Sequence, residues 1–129
     1  MPRKISRKGL VKKLDTVFSL YIRQRYADRN GMVKCCTCST VKHWKEMDCG
    51  HFMSRKHMST RWVEDNCSTQ CKKCNVFRYG EAYLFSVFLG SELADSLYQL
   101  SKKTVKYSNV DLEEMIELYT KKVKDLDVK

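Results

Sequence analysis

A single proline, Pro2, and five glycines are all this chain has of the two residues that punctuate linkers. Internal repeats and low-complexity tracts are also missing, so at 129 residues the reading is one domain over residues 1–129. No run of ~18 apolar residues is present that could span a bilayer. The basic opening "MPRKISRKGL" has no apolar core of the kind a signal peptide needs, so a cytoplasmic protein without a membrane partner is expected. Acidic residues are scarce in the first part of the chain: residues 1–80 hold 18 basic and 6 acidic side chains, residues 81–129 hold 7 and 9. That asymmetry points a basic module at a polyanion, most simply nucleic acid, with a near-neutral segment behind it; a basic surface serving only solubility is the plainer alternative.

Cysteine, in contrast, is abundant. Seven thiols cannot all pair, and disulfides are not expected in a reducing compartment, so metal binding is the better use. Cys35-x-x-Cys38 and Cys71-x-x-Cys74 form two chelating turns whose four thiolates suit one tetrahedral structural Zn²⁺. Cys36, in "CCTC", competes with Cys35 as a ligand, although its spacing to Cys38 is the less common one. Cys49 and Cys67 read as small buried apolar side chains. Such a module could equally be a zinc-dependent binding domain with no chemistry of its own.

Helical periodicity predicts an amphipathic helix over residues 7–29, with Leu10, Leu14, Val17, Phe18, Tyr21 and Ile22 on its apolar face and a stop at Asn30-Gly31. "MVKCCTC" predicts a short strand entering a cysteine turn, and residues 39–66 predict short strands and loops. A helix is expected to start near Cys74, with breaks at Gly80 and Gly90. Residues 91–103 and 109–126 predict two more helices. The second opens with Ser108 or Asn109 as N-cap and carries an apolar stripe of Met115, Ile116, Tyr119, Val123 and Leu126 that needs a partner.

Between the cysteine pairs lies "MDCGHFMSRKH". If its strand ends at His51, the Asp48 carboxylate and the His51 imidazole can flank one site. Asp48 and the amide oxygen of Asn75 are the oxygen donors that Mg²⁺ prefers, and a neutral imidazole can accept a proton from water. Those are the parts of a phosphodiesterase. Arg55, Lys56, Arg61, Lys72, Lys73 and Arg78 surround this region and are candidate phosphate contacts on DNA. His43 and His57 read as surface or DNA-facing side chains.

Taken together, "CCTC", "DCGHF", "EDN" and "QCKKCN" resemble the HNH endonucleases, whose ββα-metal (His-Me finger, treble-clef-like) core is braced by zinc. "KLDTVFSLYIRQRYADRNG", "DCGHF", "TRWVEDN" and "QCKKCN" together are more closely similar to the phage NinG/Rap recombination endonuclease family, over residues 13 to 100. The resemblance implies an α+β fold: an HNH nuclease core over residues 33–80, between the N-terminal helix and a helical segment over 81–129. It also implies a structure-selective DNA endonuclease that acts on branched recombination intermediates such as four-way junctions and leaves 5′-phosphate and 3′-hydroxyl ends. Carried over by residue, His51 is the general base and Asn66 the loop residue that orients it through backbone contacts. Asn75 holds the catalytic Mg²⁺ or Mn²⁺, and Cys35, Cys38, Cys71 and Cys74 hold zinc. Many HNH sites carry a metal-binding acid immediately before the histidine; Gly50 stands there, which leaves Asp48 as the carboxylate. Paired cuts at a junction need two active sites, so a homodimer built on the terminal helices is expected. The alternatives are a general or nicking HNH endonuclease without junction preference, and a non-catalytic zinc DNA-binding accessory protein.

Overall fold

The computed structural model describes residues 4–128. It is a small α+β structure with two two-stranded antiparallel sheets and five α-helices among the described residues.

The first helix, α1 (Arg7–Gln24), is capped by Ser6, whose hydroxyl accepts from Gly9 N. It buries Leu10, Leu14, Phe18 and Ile22 at the expected helical spacing. It stops at Gln24, short of Asn30. Asp28 accounts for the difference: its carboxylate accepts from the amides of Asn30 and Met32, closing a local turn that competes with the helix, and Gly31 completes that turn at φ 78°.

Strand β1 (Met32–Lys34) pairs with β2 (Val41–His43), and Trp44–Glu46 forms a 3₁₀ turn. Strand β3 (Met47–His51) pairs with β4 (Cys67–Cys71) in the register Met47↔Cys71 to His51↔Cys67. The connection between them holds the short helix α2 (Met58–Arg61) and a 3₁₀ turn at Glu64–Asn66.

After β4 the expected helix is a single π-turn, Lys73–Phe77. Tyr79, Gly80 and Glu81 then take φ of 54°, 86° and 50°, three consecutive left-handed residues that no right-handed helix can cross. Helix α3 (Ala82–Leu89) follows, and Gly90 at φ 88° separates it from α4 (Ser91–Ser101). Helix α5 (Asn109–Leu126) opens on a full capping box, Ser108 with Asp111.

The apolar stripe of α5 finds its partner in α1 of the same chain. Arg7 reaches Asn109 at one end (3.3 Å), and Lys122 lies over the Tyr21 ring at the other, so the two helices run side by side and parallel. Phe18 meets Tyr119 edge to face at 4.9 Å. Leu112, absent from the stripe read off the sequence, is fully buried in that core with Trp62 and Cys67. A second core gathers Val33, Trp44 and Met47 around Cys35, Cys71 and Cys74. Among the described residues, no helix is long and apolar enough to cross a membrane.

Candidate functional site

Two separated turns supply the four-cysteine cluster. The first follows β1, where Ser39 N donates to the Cys35 carbonyl and Ser39 takes φ 67°, wrapping the backbone around the Cys35 and Cys38 sulfurs. The second is the end of β4 and the π-turn, carrying Cys71 and Cys74. All four sulfurs lie within 4.8 Å of one another, and Cys38 Sγ is 3.6 Å from Cys71 Sγ. Tetrahedral zinc with Zn–S of about 2.3 Å sets sulfurs about 3.8 Å apart, so the donor set fits that ion.

Burial opposes ionisation of Cys35, but the Thr37 hydroxyl and the amides of Cys71, Thr37 and Cys38 outweigh it and bring its thiol down to about 6. Burial, with the Cys35 charge beside it, pushes Cys36 up to about 12, and Cys36 stands outside the cluster. The choice between the two neighbours therefore falls on Cys35. Cys74 is also pushed up to about 12, chiefly by burial. Four adjacent thiolates cannot all ionise without a cation, and a dication removes that penalty.

A cleft of about 570 Å³ opens beside β3, between α1, the chain after His51 and the turn after Cys74. His51, Asp48 and Asn75 all line it. Strand β3 ends at His51, the condition under which the two side chains can share a site. Asp48 and His51, three positions apart, start from opposite faces of the strand, and both line the cleft at its end. Asp48 Oδ2 accepts from Asn75 Nδ2 at 3.0 Å and Asp48 Oδ1 from Lys72 Nζ at 2.7 Å. Asp48 and Asn75 form an oxygen-bearing pair of the type a hard divalent cation takes, and Lys72 pairs with the same carboxylate.

His51 Nε2 lies 3.2 Å from the Arg61 carbonyl oxygen. A carbonyl only accepts, so Nε2 carries the hydrogen of the neutral ring and Nδ1 the lone pair. Burial holds the imidazole below its ordinary range against the opposing pull of the Arg61 and Cys49 backbone. Among the described residues no hydrogen bond joins the Asn66 side chain to the ring. Its side chain is fully buried and closes three bonds on the loop behind it, accepting from Met53 N and donating to the carbonyls of Met53 and Thr60, while its own carbonyl accepts from Phe52 N. The residue it fixes on one side follows His51 and on the other precedes Arg61.

Of the six basic candidates, Arg55 and Lys72 line the cleft. Lys73 and Arg78 line an adjoining groove with Lys42 and Lys45, and Lys56 is exposed. Arg61 differs from its expected part. Its guanidinium turns inward, grips both Asp15 carboxylate oxygens and donates to the Arg55 carbonyl at 2.8 Å, so most of its donor capacity is used within the chain. Holding the carbonyl that faces His51 is its structural work.

Two residues of α1 escaped the sequence reading. Asp15 lines the cleft, tying down Arg61 and accepting from Trp62 Nε1 at 2.9 Å. Arg23, half-buried, donates to the Ser19 carbonyl and hydroxyl and lies over the Trp44 ring. None of the ion pairs among the described residues includes Arg23. Positions 15, 19 and 23 repeat every fourth residue, and this polar stripe beside the apolar one was the available signal. Cys49 and Cys67 share the His51 face of the hairpin, their sulfurs and the imidazole within 4.8 Å of one another; burial pushes the Cys67 thiol far up, which keeps it a neutral core side chain.

No curated protein and no solved structure matches the chain. The family model described as the bacteriophage lambda NinG protein matches residues 3–129, nearly its full length. The chain belongs to the NinG family.

Proposed function

We propose that the protein is a metal-dependent DNA endonuclease of the HNH, ββα-metal type, acting on branched recombination intermediates. The observation that carries this reading is one cleft lined together by a neutral histidine, an Asp–Asn pair and the cations Arg23, Arg55 and Lys72, braced from behind by the four-cysteine cluster. Membership of a phage recombination-related family supports the substrate class.

In this mechanism His51 Nδ1 accepts a proton from water, and the hydroxide attacks phosphorus in line with the 3′-oxygen. The P–O3′ bond breaks, the departing oxygen takes a proton from solvent, and a 5′-phosphate remains. Asp48 and Asn75 would hold Mg²⁺ or Mn²⁺, which supplies neutralisation of the charge that builds on the phosphate. Arg61 and Asp15 keep the imidazole in the Nε2–H tautomer, and Asn66 holds the loop that carries them. Arg23, locked by Ser19 and stacked on Trp44, meets a phosphate oxygen without having to leave a carboxylate first. A homodimer supplies the second active site that paired cuts need.

The Asp48–Lys72 contact favours a second reading, a zinc-braced DNA-binding protein in which the acid is permanently neutralised. A four-way junction and a matched linear duplex, incubated with Mg²⁺, with Mn²⁺ or with neither, separate the readings. Paired cuts near the branch support the junction endonuclease and equal cutting of both DNAs a general nuclease. Binding without cutting under any metal supports the accessory protein.

A further inference from the structure

Phe77, Tyr79 and Tyr83 are 76%, 94% and 78% exposed, and Val76, Val87 and Phe88 beside them in the chain are more than half exposed. Apolar exposure on this scale in one short segment marks a contact surface rather than scattered surface residues. The segment begins at Asn75, and Tyr79 itself lines the cleft that holds Asp48 and His51.

The backbone beneath Tyr79 is strained. A bulky side chain at φ 54° is unfavourable, and glycine or asparagine would make the same turn at lower cost. The turn is over-determined from below. Gly80 N donates to the Cys74 carbonyl at 2.8 Å, and the buried Gln70 side chain donates to the Gly80 carbonyl at 2.8 Å. The ring itself contributes almost no burial to the fold, so what it does lies outside the chain. Phe85, fully buried against Phe52, anchors α3 to the residue that follows His51, which ties the exposed rings to the histidine strand.

We propose that Phe77, Tyr79 and Tyr83 form a stacking ridge for unpaired DNA bases at the edge of the cleft, and that this ridge makes the protein prefer a branch to continuous duplex. The inference rests on the DNA-binding part of the function proposed above and extends it to the feature of the substrate that is recognised. Aromatic faces stack on any base, but bases inside a duplex are already stacked; a branch point offers ones that are free. Charge selects the occupant. Lys72, Lys73 and Arg78 are exposed around the ridge, and Glu81 is the only acid between residues 72 and 88. A second copy docked by two-fold symmetry would bring those cations against one another, whereas a polyanion is drawn to them.

The test uses the full-length, zinc-loaded protein without added Mg²⁺ or Mn²⁺, so that binding is read apart from cutting. The probes are a splayed-arm DNA with 2-aminopurine at the first unpaired position and the matched linear duplex. Tyr79→Asn removes the ring while keeping a residue that accepts the left-handed turn, Tyr79→Trp keeps a ring, and circular dichroism with zinc content checks the fold of both. The expected result is quenching of 2-aminopurine by the parent and by Tyr79→Trp. Tyr79→Asn loses the quenching and binds the splayed DNA about 5- to 100-fold more weakly, with affinity for the duplex little changed. Equal loss on both DNAs, or quenching that survives Tyr79→Asn, overturns the ridge. So does a parent that sediments as a dimer and becomes monomeric on Tyr79→Asn, since a second copy then covers these rings. Ring-dependent branch binding without cleavage under any metal leaves the ridge standing and removes only the nuclease reading.

Discussion

Gly50 sits directly against the side chain of Gln70, its diagonal neighbour across the β3–β4 ladder. A Cβ at position 50 would collide with Gln70 Oε1 and come within 2.9 Å of Gln70 Cβ. Gln70 is fully buried, and its Nε2 is held by Thr37 Oγ1 and the Gly80 carbonyl, so it has nowhere to retreat. The position before the histidine therefore cannot carry an acid in this hairpin. Asp48, two residues earlier on the same face, is the acid of this strand, and it lines the cleft. Gly50→Ala is expected to cost about 1–3 kcal/mol of stability, read as a lower denaturant midpoint with an unchanged slope. An unchanged midpoint would show that Gln70 yields.

Replacing the imidazole separates chemistry from scaffold. His51→Ala is expected to slow cleavage by about 10²- to 10⁴-fold while zinc content and affinity for DNA stay near the parental values. Asp48→Ala should likewise abolish the Mg²⁺ response without loss of fold, because Asp48 borders the cleft and no core residue depends on it. Parental rates in either variant, measured under single turnover, would remove that residue from the mechanism.

Zinc removal has a different signature. Cys71→Ser should lose the metal and the cooperative thermal transition, since structural zinc in small domains carries about 10–16 kcal/mol of apparent binding energy that is also folding energy. Cys36→Ser, outside the cluster, should keep both. Metal analysis and thermal melts of the two variants side by side check this, and loss of zinc in Cys36→Ser would contradict the assignment of Cys35 as the ligand.

The pH profile follows from the burial of His51. A protonated imidazole cannot act as base, so cleavage should rise with pH. Because burial holds this group below its ordinary value of 6.5, the acid limb should have its midpoint below 6.5. Stability moves in the same direction. The unfolded chain binds the proton more tightly than the folded one, so the contribution is intact above pH 6.5 and is lost as pH falls through the lowered folded value. An acid limb centred above pH 7 would contradict the assignment.

Arg23 offers the most direct test of the α1 contribution. Arg23→Ala should weaken turnover by about 10- to 100-fold, in line with losing a charge-assisted contact worth about 1.5–3 kcal/mol. Arg23→Lys should recover only part of it, because the ammonium keeps the charge without the planar fork. Equal activity of all three proteins would exclude a phosphate contact at this position.

Features set by neighbours a few residues apart could be read directly from the chain. The two Cys-x-x-Cys turns, the Ser108 cap, the bounds of α5 and the breaks at Gly80 and Gly90 all follow from spacing and backbone preference. His51 stood out because four thiolates already satisfied zinc. The early end of α1 was less visible, since it depends on the Asp28 carboxylate turning back onto Met32 rather than on any loss of periodicity. Arg61 looked like every other exposed cation until folding set it against Asp15, 46 residues away. The bar to an acid at position 50 comes from Gln70 on the facing strand. Such contacts join residues far apart in the chain, and what they cost or contribute exists only once the backbone has brought them together. Residue types and intervals thus specify which chemistry is available, while the packing of α1 and β4 around β3 settles which of those groups meet in the cleft and which are consumed in holding it.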